Sequence, residues 1–171
     1  MSLSPRIAVW IEEHPPTGRP LPTEATWQAW ITTWLGLLAT DLPPAVGYEL
    51  GLRLTDDQAI QTLNRDFRYQ DRSTDVLAFA ALEAELPAPP DTDEPLYLGD
   101  VVISVPTAEH QAGRHGLTVE LAWLASHGIL HLLGWDHPDE TRLEAMLTQQ
   151  SQLLLAVGLT PPQAQAEEET A

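Results

Sequence analysis

The chain has 171 residues, no cysteine, and a formal charge of −17 from 25 acidic residues against eight arginines, with no lysine. That length fits one ordinary domain, and the absence of thiols excludes disulfide staples, cysteine nucleophiles and thiolate-bound zinc, so any metal must be held by imidazole or carboxylate. The net charge argues against tight nonspecific binding to a polyanion, although Arg65, Arg68 and Arg72 lie close together and leave room for a local basic patch.

No stretch reaches the roughly 18 apolar residues of a membrane span, and "MSLSPRIAVWIEEHPP" carries no targeting pattern, so the chain reads as a soluble, unprocessed, cytoplasmic protein. "RIAVWIEE" (6–13) predicts a first strand, followed by a proline-rich turn through 14–22. From Glu24 to about Leu42, Trp27, Trp30, Ile31, Trp34, Leu35 and Leu38 recur at steps of three and four, which predicts an amphipathic helix. Its tryptophan stripe could stack RNA bases, but large apolar residues on one helical face more often bury against a sheet.

"VGYELGLRLTD" (46–56) alternates apolar and polar positions as a half-buried strand does. Thr55 and Gln58 then predict a capping box that opens a helix through Ile60, Leu63 and Phe67, carrying the arginines. Residues 74–80 and 96–106 predict two more strands, separated by the acidic, proline-rich loop 83–95. Pro106 and Thr107 are expected to end the second of these and start a short helix near 107–114. Gly116 and Thr118 introduce a long helix ending at Gly134, and Pro138 is placed in the first turn of a last helix whose Leu143, Met146, Leu147, Leu154 and Val157 face the core. Beyond Gly158 little is left to bury, so the expectation is a single domain over 1–158 with a disordered acidic tail at 159–171. About four strands and five helices, with one hairpin-like pair and no regular βαβ alternation, indicate an α+β domain.

Three of the six histidines fall within "SHGILHLLGWDH" (126–137). Residues four apart share a helical face, so His127 and His131 can direct their rings at one point, and Gly134 lets the chain turn sharply enough to bring His137 back to it. Three imidazoles without a thiolate leave a fourth position for water, as in catalytic rather than structural zinc sites, although nickel, cobalt or copper would also bind.

This spacing is similar to that of metzincin peptidases, whose general-base glutamate would follow the first histidine; Gly128 stands there instead. "HGILHLLGWDH" resembles more closely the signature of the bacterial YbeY family, single-domain zinc-dependent endoribonucleases implicated in ribosomal RNA maturation. The resemblance extends to "LNRDFRYQDRSTDVLAFA" (63–80), "LGDVVIS" (98–104) and Met146. It implies a zincin-like domain with a central mixed sheet of about four strands packed with about five helices. It also implies one zinc per chain on His127, His131 and His137, and Arg68 as the functional arginine of the family's LN-x-x-[YF]-R block. The substrate it implies is single-stranded ribosomal RNA at the 16S 3′ end, with ribosome quality control as a second role. Small-subunit proteins and a ribosome-associated GTPase are the implied partners, and no membrane or DNA partner is expected. The chain departs from the family's usual S-F-P at Ala78, Phe79 and Ala80.

Each residue also has a structural reading. Arg68 could hold a phosphate by two hydrogen bonds or form a salt bridge to Asp71 or Asp75. Arg65 and Arg72 could position RNA or simply be solvated, and Asp136 could orient a ligand imidazole or cap the final helix. His110 and His115 are taken as surface residues, and Glu120 lies two turns before His127 on roughly the same face. Two other functions remain open at this point: a metallopeptidase on the same frame, disfavoured by Gly128, and a non-catalytic assembly factor in which zinc only pins the helix to the following turn.

Overall fold

The computed structural model describes residues 6–13, 20–81 and 94–162; the turn before residue 20, the acidic loop before residue 94 and the acids at 167–169 lie outside them. Four strands, β1 (Arg6–Glu13), β2 (Gly47–Thr55), β3 (Val76–Ala80) and β4 (Leu96–Ser104), form one sheet in the order β1-β2-β4-β3. β1, β2 and β4 run parallel, and β3 closes the edge antiparallel to β4. The sheet is thus mixed, as expected. It also holds a βαβ unit that the sequence pattern did not suggest, in which α1 (Glu24–Leu37) joins the parallel pair β1 and β2.

The inner face of the sheet is buried under α1, α4 (Gly116–Leu132) and, beneath them, α5 (Glu140–Ala156). Trp27, Trp34, Leu50, Leu54, Ile103, Leu121 and Leu153 are wholly buried there, which assigns the tryptophan stripe to the core. Trp34 donates its indole N–H to the Leu153 carbonyl at 2.8 Å, so the one polar atom of a buried ring is satisfied. Among the described residues the outer face carries only α2 (Asp57–Arg68), packed through Ile60 and Leu63 on Leu77 and Val102. Among the described residues no helix is long and apolar enough to cross a membrane.

Local chemistry moves several boundaries. The cap of α2 is Asp56, not Thr55: its backbone is extended and its carboxylate accepts the Ala59 N–H at 2.8 Å, whereas Thr55 is still paired with Ser104 in the sheet. Ser104 ends β4 and caps α3 (Val105–Ala112), so Pro106 lies inside the first turn of that helix, where its missing N–H costs nothing. Asp139 caps α5, leaving Pro138 outside it. On that helix Leu143 is exposed and the polar Gln150 is buried, the reverse of what hydropathy alone indicates. Leu159 packs on the core and Pro161 is buried, so packed chain continues past Gly158.

The joint between α2, α3 and the sheet is polar. Asp57 accepts hydroxyl hydrogen bonds from Ser73, Ser104 and Thr107, and these hold its carboxyl below the usual value. That knot fixes the start of α2, and therefore the direction in which its far end presents Arg68.

Candidate metal centre

α4 is apolar on nearly every side because it lies between the sheet and α5. It can approach β4 closely because residue 128 is glycine: a Cβ there would come within 2.6 Å of the Val101 Cγ1, a branched side chain with no room to yield. Gly128 is therefore both the position where a zinc peptidase would keep its base and a packing requirement of this fold.

One turn apart on α4, His127 and His131 place their Nε2 atoms 3.0 Å from each other. The helix ends at Leu132, Gly134 turns the chain with φ +94°, and the exposed His137 returns to the pair. The three rings have centroids 4.5, 5.7 and 5.5 Å apart, and one ligand atom from each lies within 4.8 Å of the others.

The rings are also aimed. His127 Nδ1 lies 3.2 Å from the Gln150 Oε1, and Gln150 is itself held by donating to the Trp123 carbonyl at 3.3 Å. With its amide anchored this way Gln150 accepts, so the His127 proton sits on Nδ1 and the Nε2 lone pair faces its partners. His131 is tied to the Trp135 backbone. Burial, reinforced by charge at neighbouring rings, lowers the pKa of both His127 and His131. Neutral imidazoles with their second nitrogen engaged are the form a metal requires, so the donor set fits a divalent ion of zinc's preferences.

Gln150 is a residue that sequence reading missed. The available signal was a glutamine on the core face of α5 between Met146 and Leu153, where a polar group must have a reason to be buried. Gln150→Leu, which keeps the volume and removes the acceptor, is expected to weaken metal affinity about 10- to 100-fold with the fold intact; competition with a chromogenic chelator measures it.

His127 and His131 open onto a cavity of about 440 Å³ whose wall includes Arg68, Ala78, Gly128, Trp135 and Asp136. Arg68 reaches over the edge strand, donating from Nη2 to the Ala78 carbonyl at 2.5 Å, with its guanidinium 5.3 Å from the centre of the Phe79 ring. It makes no salt bridge to Asp71 or Asp75. Asp136 is the cavity's one carboxylate among the described residues; it accepts the His137 N–H at 2.8 Å and caps no helix. Arg65 and Arg72 stand outside the cavity, engaged with Asp66 and Gln70 respectively. His115 is not a surface residue: its ring is largely buried and bonds the buried Glu120 at 2.7 Å, while His110 is exposed as expected. Burial raises the Glu120 pKa, and Glu120 forms no part of the cavity wall.

Comparison with known proteins agrees with this layout. The sequence pattern of the family described as "Endoribonuclease YbeY" matches residues 18–158. Proteins of that name from Trichormus variabilis and from a Cyanothece species are 60% and 64% identical over 140 residues, covering 80% of this chain and 80% and 83% of their own. The solution structure of TM1509 from Thermotoga maritima shares the fold, with a TM-score of 0.53 at 21% identity over 87% of this chain and 88% of that one. Together, the family match over residues 18–158, which takes in β2 to β4, the arginine helix and the histidine helix, and the extent of these identities, show that the chain belongs to the YbeY endoribonuclease family.

Proposed function

We propose that this protein is a zinc-dependent endoribonuclease that cuts single-stranded ribosomal RNA, acting at the 3′ end of 16S RNA and in ribosome quality control in the cytoplasm. The observation that carries the reading is the convergence of three imidazoles, two of which share one cavity wall with Arg68, in a chain whose relatives bear the name Endoribonuclease YbeY. His127, His131 and His137 would hold one zinc ion. Bound there, zinc supplies a Lewis acid for a phosphoryl oxygen and acidifies water at neutral pH.

The remaining work falls to side chains of this protein. Arg68 is held at the cavity wall by its bond to Ala78, so its free N–H groups can pair with phosphate oxygens and stabilise charge that builds during cleavage. Gln150 and the Trp135 carbonyl keep the ligand rings in one orientation, so little reorganisation is needed as the reaction proceeds. The bond of Asp136 to the His137 backbone would fix the turn that carries the third ring.

With eight arginines in the whole chain, few phosphates can be neutralised, so ribosomal small-subunit proteins and a ribosome-associated GTPase would provide much of the docking. The test is cleavage of a single-stranded 16S 3′-end RNA by the purified protein, alongside a panel of unstructured peptides. RNA is cut, chelation abolishes cutting, zinc restores it, and the peptides stay whole. Peptide hydrolysis without RNA cleavage would instead support the metallopeptidase reading that Gly128 disfavours.

A further inference from the structure

The outer face of the sheet is covered by α2 over only part of its width. Beside that helix lies an open trough of about 640 Å³, lined by Trp10, Phe67, Phe79 and Tyr97 with Arg53 and Asp100. Phe79 packs on the small core beneath α2, but the other three rings are open to solvent: Trp10 is 59% exposed, Phe67 61% and Tyr97 40%. Trp10, Gly51, Asp100 and Phe79 are successive neighbours across the four strands, so the outermost two rings stand three strand spacings apart, about 14 Å. Gly51 keeps the floor between them low, since any Cβ there would run into the Asp100 carboxylate. Arg53 lies in this wall, with its Nε buried and 4.0 Å from a carboxylate oxygen of Glu12.

The trough and the metal cavity share a boundary. On the edge strand β3, Ala78 and Ala80 line the cavity while Phe79, one residue between them, faces the trough. Arg68 bridges the two, with its guanidinium on the cavity wall and 5.3 Å from the Phe79 ring, which in turn packs edge-on against Phe67 at 5.6 Å. A phosphate held by Arg68 therefore has an aromatic ring within one nucleotide's reach on the other side of the strand.

We propose that this trough receives the bases of single-stranded RNA next to the cut, stacked on Phe79, Phe67 and Trp10. The proposal rests on the endoribonuclease reading and names the part of the substrate that the metal cavity does not hold. Charge favours bases over phosphates here, because Glu12 and Asp100 outnumber Arg53 on this face. Stacking needs no cation, which suits a chain with so few of them. It also explains how an acidic enzyme would grip RNA with a shallow salt dependence.

The test uses the zinc-loaded full chain and a single-stranded RNA of about ten nucleotides carrying 2-aminopurine at successive positions. Trp10→Ala and Phe67→Ala, both at exposed sites, are expected to raise Kd and KM about tenfold each with kcat nearly unchanged, and to relieve the 2-aminopurine quenching seen with the wild type. Leu155→Ala, an equally exposed apolar residue on α5, is expected to change nothing. If both aromatic variants bind and cut as the wild type does, while Arg68→Ala still suppresses turnover, the bases lie elsewhere and the trough is left to a protein partner. If the wild type itself neither binds nor cuts the RNA, the endoribonuclease reading fails and the trough assignment fails with it.

Discussion

His131→Ala is expected to abolish RNA cleavage, with a fall in turnover on the order of a thousandfold or more, while the protein remains folded. The magnitude follows from what the residue does. His131 is the middle donor of the trio, with its Nε2 3.0 Å from that of His127 and its ring tied to the Trp135 backbone. Removing it leaves two donors and lowers metal occupancy. Losing a bound Lewis acid removes several kcal/mol of transition-state stabilisation, and about 4 kcal/mol already corresponds to a thousandfold in rate. His131 is only half-buried and lines an open cavity, so its truncation costs little packing, and a thermal unfolding midpoint near that of the metal-free wild type is expected. Cleavage at full rate by this variant would mean that the histidines do not run the reaction.

Arg68→Ala is expected to lower kcat about 100- to 1000-fold and to leave the metal content of the purified protein unchanged. Those two readouts together separate charge stabilisation from metal loss, because Arg68 touches none of the histidines. The range is what removal of one oriented donor to developing anionic charge produces. Arg68→Lys recovers part of the loss, since it keeps the charge without the planar fork that can engage two oxygens while resting on Phe79. Arg65→Ala and Arg72→Ala, whose side chains stand outside the cavity, are the matched controls. Single-turnover rates at saturating RNA report the step directly.

Both residues were visible in the sequence, for different reasons. The histidines were legible because helical geometry does the work: a spacing of four stacks two rings, and a glycine after the last turn is the residue that allows φ +94° and the return of the third. Arg68 was legible only through the family resemblance, since its contacts with Ala78 and Phe79 depend on a strand pairing that no local pattern specifies. The four strands and five helices followed from periodicity, but their order did not. That β4 inserts between β2 and β3 is a matter of long-range pairing, and it is this insertion that makes β3 an edge strand over which Arg68 can reach.

Other departures share one cause: polar residues whose partners are far away in sequence. Gln150 is buried because His127 and Trp123 satisfy it, and His115 because Glu120 does. Hydropathy treats such residues as surface. Leu143 went the other way, because the first turn of α5 projects past the core. The cap of α2 shifted by one residue because Asp56, unlike Thr55, is free of the β2 ladder. Gly128 carried more than the sequence could show. Its missing carboxylate is visible in the letters, but its contact with Val101, which explains why α4 has no room for a side chain there, requires the packed sheet.

The central claim is that one zinc ion on His127, His131 and His137 drives RNA cleavage. Titrating zinc into the metal-free protein while following cleavage of a single-stranded 16S 3′-end RNA tests it most directly. Activity is expected to rise in proportion to added zinc and to level off at one equivalent per chain, with His131→Ala flat throughout. Full cleavage before any metal is added, with the same products and rate as the zinc-loaded protein, would contradict it.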